Sequence, residues 1–295
     1  MDVSNFKDVQ RDEPDIPMEI DKVGVKGVRR KISTITPKGN FFYDVVLDAF
    51  VDLPKDMSGT HMSRDVEALA EAIEEANKEK SSSLEEVLND ISNRLMMKHK
   101  YATRVELIAK TQHQYEENFT DPPTNEMANV TIAVTKDRNG KDRRSVKVEI
   151  PGLSVCPCAQ QTYQEAEGVE CQAPSHTQRV NLSIDLTTRD KLVRIGWLID
   201  AARKSFSAPI SSLLKRDDEY KLLKKAYSSP KFIEDLVRHA VYYCGQTLKD
   251  KEYPEDTEIN VEAESLESIH PHNAYARRET TIGNLLKKER DFEAD

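Results

Sequence analysis

The stretch IDKVGVKGVRRKISTITPKGNFFYDVVLDAFVDL, residues 20–53, decides the fold class. From Ile20 to Thr36 and again from Phe41 to Leu53, apolar and polar residues alternate and β-branched residues are frequent, the period-2 pattern of strands with one buried face. Pro37-Lys38-Gly39-Asn40 between them supplies turn chemistry, so the pair reads as a β-hairpin.

Beyond residue 53 the period changes. Arg64–Lys78 and Ser83–Lys98 carry helical spacing, and Glu86 three residues after Ser83 makes a capping-box pattern. Ser63 is the candidate N-cap of the first of these helices. Strand patterns return at Ala102–Gln112 and Met127–Thr135, and Asp137-Arg138-Asn139-Gly140 is a turn before the strand Arg144–Ile150. The second half repeats the order, with strands at 143–150 and 178–188, helical stretches at 190–204, 208–226 and 230–249, and strands at 256–265 and 274–282. Each half therefore reads ββααββ, which implies antiparallel sheets with helices on one face, an α+β architecture. Residues 1–18, polar and carrying Pro14 and Pro17, read as a flexible arm, followed by modules at 19–138 and 139–295, the second holding most of the candidate chemistry.

Composition narrows the function classes. With 43 basic and 52 acidic residues the net charge is −9, which argues against a general nucleic-acid binder. No run approaches the roughly 18 apolar residues of a membrane span, and MDVSNFKDVQRDEPD has neither a basic nor an apolar leader region, so a cytoplasmic protein is expected. In that setting Cys156, Cys158, Cys171 and Cys244 are reduced thiols or metal ligands rather than disulfide partners.

The candidate chemistry lies in the second half. Pro151 and Gly152 punctuate the segment that bears Cys156 and Cys158, which reads as a loop at a strand end, where catalytic groups tend to sit. A structural zinc site would want wider Cys spacing and a second pair. His176 opens the next strand, and Glu262, Glu264, Glu267, His270 and His272 crowd into residues 262–272. Thiolate, imidazole and carboxylate together suit zinc or ferrous iron better than magnesium or calcium, and such a site with an open position activates water. The plainer reading, cysteines buried as small hydrophobes beside a solvated acidic strand, stays open on the residues alone. Arg179, Arg203, Lys204, Lys215 and Arg216 offer charge for phosphates, and His61 sits between a strand and a helix where it could reach a site.

The segments GLSVCPCA, SHTQR, KRDDEY, FIEDLVR and ESIHPHNAYA, with GTHMSRD earlier, resemble the type IB GTP cyclohydrolase family from about residue 15 onward. That resemblance implies a tunnelling fold (T-fold) of tandem ββααββ modules assembled into an oligomeric barrel, a homodimer or homotetramer with active sites at subunit interfaces. It implies Cys156, His176 and Glu219 as metal ligands, Glu234 as the carboxylate that binds the guanine edge of GTP, and Glu267, His270 and His272 completing the catalytic set with Cys156. Arg179 and His61 are implied as further substrate-binding residues. The metal implied is Fe(II), with Zn(II) or Mn(II) as alternatives. The long segment between Cys158 and His176, and Thr177 where Asn is commoner, resemble the archaeal branch, which makes 7,8-dihydroneopterin 2′,3′-cyclic phosphate, formate and diphosphate from GTP. The bacterial branch makes dihydroneopterin triphosphate, and a metal- or pterin-binding module without turnover is the rival of another class.

Overall fold

The computed structural model describes residues 9–36, 39–79, 83–169, 173–189 and 191–286. Eight strands follow one another in hydrogen-bonded order from β1 to β8, so neighbours in the sheet are neighbours in the chain. The chain divides into two compact units, residues 1–111 with 131–144 and residues 112–130 with 145–295. The division falls within β3 (Arg104–Glu117) and β4 (Thr124–Asp137).

The first unit is built on the hairpin of β1 (Ile20–Thr36) and β2 (Gly39–Leu53), paired antiparallel and closed at Thr36↔Gly39. The expected turn residues Pro37 and Lys38 lie outside the described residues. Along β2 the alternation is strict: Tyr43, Val45, Leu47, Ala49, Val51 and Leu53 are buried, matched on β3 by Val105, Leu107 and Ala109. Register shifts between Val25 and Val28, where Gly27 adopts φ 74° and donates its N–H to Asp48 Oδ1 at 2.8 Å. A left-handed glycine is what such a bulge asks for.

Helices α1 (Met62–Glu79) and α2 (Leu84–Lys98) bury Ala68, Leu69, Ala72 and Ile73, and Leu84, Val87, Leu88, Ile91 and Leu95. The expected cap of α2 forms, Ser83 Oγ accepting from the Glu86 N–H at 3.2 Å. Helix α1 begins two residues earlier than the sequence suggested, so Ser63 lies inside it and His61 precedes it, its carbonyl accepting from the Arg64 N–H at 2.9 Å. His99 belongs to the interior, with Nε2 at 2.8 Å from Asp65 Oδ1 and Nδ1 at 3.0 Å from the Tyr101 hydroxyl. Of the arm expected over residues 1–18, the part from Val9 is described, and there Gln10 and Asp12 carbonyls accept from the Gly59 and Ser58 N–H groups.

The second unit departs further from expectation. After β5 (Arg143–Val155) comes a helix, α3 (Pro157–Glu167), where a loop was expected. It buries only Gln160, so no apolar stripe announced it. Strand β6 (Thr177–Thr188) precedes α4 (Ile195–Ser205), α5 (Arg216–Ser228) and α6 (Ile233–Asp250), and β7 (Glu258–Leu266) and β8 (Ala274–Thr281) close the unit. Residues 208–215 are not helical; at their start Leu153 bridges Ala208, its N–H donating to the Ala208 carbonyl while its carbonyl accepts from the Ser207 N–H. The core is Val180, Leu182, Ile184 and Leu186 of β6 and Ile259, Val261 and Ala263 of β7, covered by Leu198 and Ile199 of α4 and Leu236, Ala240, Cys244 and Leu248 of α6. Among the described residues no helix is long and apolar enough to cross a membrane.

Candidate active site

Strand β5 delivers Cys156 to the N-cap of α3, with Pro157 at the first helical position, where a missing N–H costs nothing. Cys156 Sγ accepts from the Ala159 N–H at 3.5 Å, at the helix end that favours a negatively charged occupant. Cys156 is half-buried, whereas Cys158 is exposed, and Cys171 lies outside the described residues.

His176 immediately precedes β6. The Cys156 N–H donates to the His176 carbonyl at 3.2 Å, and the Ser175 hydroxyl donates to the Cys156 carbonyl at 2.6 Å, so the thiol and the imidazole are held on adjoining backbone. Tyr227 near the end of α5 donates to the Ser175 carbonyl at 3.0 Å, and Gln160 Nε2 bridges the Ala173 and Tyr227 carbonyls, each at 3.0 Å. Beneath lies an apolar cluster of Val155, Ala208, Leu222 and Ala226, against which Phe119 from the β3–β4 connection packs. The His176 Nδ1 sits 2.9 Å from Gln178 Oε1.

The strand register carries the C-terminal segment to the same place. Arg179 of β6 pairs with Leu266 of β7, so the start of β6 adjoins the end of β7, and Glu267 follows directly. Glu267 accepts from the Ser265 hydroxyl at 2.6 Å. His270 and His272 are exposed on the β7–β8 connection with rings stacked at 5.3 Å. Arg179 is exposed on its strand.

The remaining candidates are placed separately. Glu219 is exposed in the first turn of α5 and does not join Cys156 and His176: among the described residues no three His, Cys, Asp or Glu side chains are grouped closely enough to hold a metal ion. Glu234 lies in the first turn of α6, exposed, at a cavity of about 500 Å³ that Arg238, Tyr242, Lys249 and Arg278 also line. Three residues earlier, Lys231 donates its N–H to the Val155 carbonyl at 3.0 Å and its Nζ to the Ser205 and Phe206 carbonyls, and burial lowers its pKa below the usual lysine value, helped by Lys225 nearby. His61 belongs to the first unit, whereas the other candidates belong to the second. Sequence reasoning missed Ser154, Ser175, Gln178 and Tyr227, whose neutral side chains carry no charge or spacing signal.

The donor chemistry fits a divalent metal in part. Cys156 and His176 are held on adjoining backbone, and the His176 Nδ1 faces the Gln178 side-chain oxygen. The expected carboxylate, Glu219, is not yet beside them.

A sheet in chain order with helices grouped between its strands is the fold of a class that includes uricases. The chain aligns with a uricase from Bacillus fastidious at a TM-score of 0.55 and 12% identity, covering 92% of this chain and 96% of that one. A uricase from Arthrobacter globiformis aligns at 0.52 and 11%, covering 88% and 93%. Within that class the chain belongs to the family described as Type I GTP cyclohydrolase folE2, matched over residues 6–276. It is 36% identical over 280 residues to a GTP cyclohydrolase MptA of Aeropyrum pernix, covering 94% of this chain and 97% of the relative. A GTP cyclohydrolase MptA of Methanobrevibacter smithii is 34% identical over 304 residues, covering 95% and 97%.

Proposed function

We propose that the chain is a metal-dependent GTP cyclohydrolase that converts GTP to 7,8-dihydroneopterin 2′,3′-cyclic phosphate with release of formate and diphosphate, opening a methanopterin-type pterin pathway in the cytoplasm. The observation that carries the reading is the family match over residues 6–276, together with the Cys156–His176 pairing at the end of β5. Cys156 and His176 would hold the metal, Fe(II) in preference to Zn(II) or Mn(II), and Glu219, which stands apart from them in this structure, would be the third ligand. A bound metal would supply Lewis acidity to activate the water that the chemistry at guanine C8 needs.

The chain's own residues do the rest. Glu234, at a cavity, accepts from the N–H donors of the guanine edge and so disfavours adenine, whose edge offers the wrong pattern. His270 or His272 protonates N7, which makes C8 electrophilic, and Glu267, held by Ser265, stands beside the start of β6 to move protons as the ring opens. Arg179 and His61 serve the substrate. The tandem modules assemble through the end strands β1 and β8 into a barrel of two or four subunits, with sites at the interfaces; open strand edges at both ends of the sheet support this.

Incubation of the anaerobically purified protein with GTP and Fe(II) tests the reading. The expected products are formate and a cyclic phosphate identified by mass, and Cys156→Ser loses both turnover and bound metal. A triphosphate product would instead assign the bacterial-type reaction, and formate release unchanged in Cys156→Ser would refute the site.

A further inference from the structure

We infer that Arg278 of β8 takes the phosphates of the nucleotide whose base is assigned to Glu234, both residues standing on one cavity between α6 and β8; the inference rests on the GTP reading above. The cavity, about 500 Å³, is of a size that holds a small molecule. One wall is a stripe of α6 spaced by three and four positions, Glu234, Val237, Arg238, Val241 and Gly245. It runs beside the stripe that covers the sheet, Leu236, Ala240, Cys244 and Leu248. The other wall is β8, and a helical turn at residues 282–286 closes the end. Gly245 permits that closure, since a Cβ there would meet Leu285 Cδ1 at 2.9 Å.

Arg278 stands where β8 would be expected to bury an apolar side chain. Residues directly opposite on paired strands point to one face. Arg278 pairs with Val261, and its neighbours Ala276 and Thr280 pair with Ala263 and Ile259, β7 residues that are all buried. Arg278 is nevertheless exposed, and the small side chains beside it leave room at the cavity. Its guanidinium has no ion pair or hydrogen bond among the described residues. Arg277, on the opposite face of the strand, is engaged: its Nε donates to Asn260 Oδ1 at 3.0 Å, and its guanidinium pairs with Glu262 and Glu279. Arg238, shared with Asp235, and Lys249 add positive charge, so the cavity's charged lining is mostly cationic in a chain of net charge −9. Val237, Val241 and Ile282 offer apolar surface to a planar ring, and the cations suit a polyanion. A nucleoside triphosphate joins both in one molecule. Arg238 lies one turn, about 6 Å, along α6 from Glu234, so a base held at Glu234 leads its phosphates towards Arg238 and Arg278.

The test measures equilibrium binding of GTP, and of guanosine, which has the base without phosphates, to the full-length protein without added metal, so that no turnover intervenes. Glu234→Gln should weaken both ligands. Arg278→Gln should weaken GTP roughly 10- to 100-fold, the loss of a charge-assisted phosphate contact, and leave guanosine within about twofold. Arg277→Gln removes a cation from the other face of the same strand and should leave both unchanged. With Fe(II) supplied, Arg278→Gln should raise the KM for GTP by a similar factor while formate release at saturation changes little. Unchanged GTP affinity in Arg278→Gln overturns the inference, as does guanosine weakened as much as GTP. So does Arg277→Gln proving as harmful as Arg278→Gln, or guanosine indifferent to Glu234→Gln. If formate is released and the KM does not move in Arg278→Gln, the proposed function stands and the phosphate site fails. If binding follows the expected pattern but no formate appears, the phosphate site stands and the proposed function fails. No GTP binding by the wild type overturns both.

Discussion

Replacing Arg203 should unfold the second unit far more readily than a surface substitution would. The guanidinium grips Glu117 through two bonds, 2.8 Å from Nε and 2.7 Å from Nη2, and lies 5.9 Å over the Tyr115 ring. Glu117 is only 5% exposed and Arg203 25%. Removing one member of a buried pair costs about 3–5 kcal/mol, because a carboxylate is left in the interior without compensation. The partial exposure of Arg203 admits some water, so about 2–4 kcal/mol is expected for Arg203→Met. At about 2–4 °C per kcal/mol for a unit of this size, the midpoint should fall by roughly 5–15 °C. Trp197, the chain's single tryptophan, lies on the same helix, so urea unfolding followed by its fluorescence reports the change directly. Combining Arg203→Met with Glu117→Gln removes the stranded charge, and the double variant should recover about 1–2 kcal/mol relative to the sum of the singles. A loss below about 1 kcal/mol in Arg203→Met, or strict additivity in the double variant, would refute the reasoning.

Other substitutions probe other parts of the second unit. Gly152→Ala puts a Cβ about 2.2 Å from the buried Phe206 ring, so it should destabilise by about 1–3 kcal/mol in a thermal melt and slow formate release through the displaced Cys156; a neutral result would contradict the packing. Burial pushes the Cys244 thiol up to about 12, so iodoacetamide at neutral pH should label Cys158 first and Cys244 only on unfolding, as peptide mass mapping would reveal. Burial, with Lys231 adding to it, lowers the His239 pKa, so the unfolded chain binds more protons there and stability falls as pH drops through about 6.5. His239→Gln should flatten that fall in urea titrations taken at successive pH values, and an unchanged slope would count against it.

The sequence exposed what periodicity can encode and concealed what depends on distant partners. Alternation in residues 41–53 maps directly onto the buried face of β2, and the Ser83–Glu86 spacing onto the cap of α2. Helix α3 escaped notice because it is mostly exposed, although Pro157 at its first position was a usable signal. The stretch from 208 to 215 carries apolar residues enough for a helix, yet it opens with Ala208 bridged to Leu153 more than fifty positions earlier, a partner no local pattern shows. The Arg203–Glu117 pair spans 86 positions, and no local pattern could anticipate it. At the candidate site, charged and sulfur-bearing residues were legible by type. The neutral groups hydrogen-bonded to them, Gln178 beside His176 and Ser175 on the Cys156 carbonyl, became visible only when their partners were in place.

Because sheet order equals chain order, each strand completes its pairing with the strand made just before it. The β1–β2, β3–β4, β4–β5 and β7–β8 connections are short and close at little entropic cost, whereas β2–β3, β5–β6 and β6–β7 are joined through helices that must form in between. Of these connections the β7–β8 one is made last, and it carries Glu267, His270 and His272. A nascent chain would thus hold Cys156 and His176 on adjoining backbone before Glu267, His270 and His272 have been made.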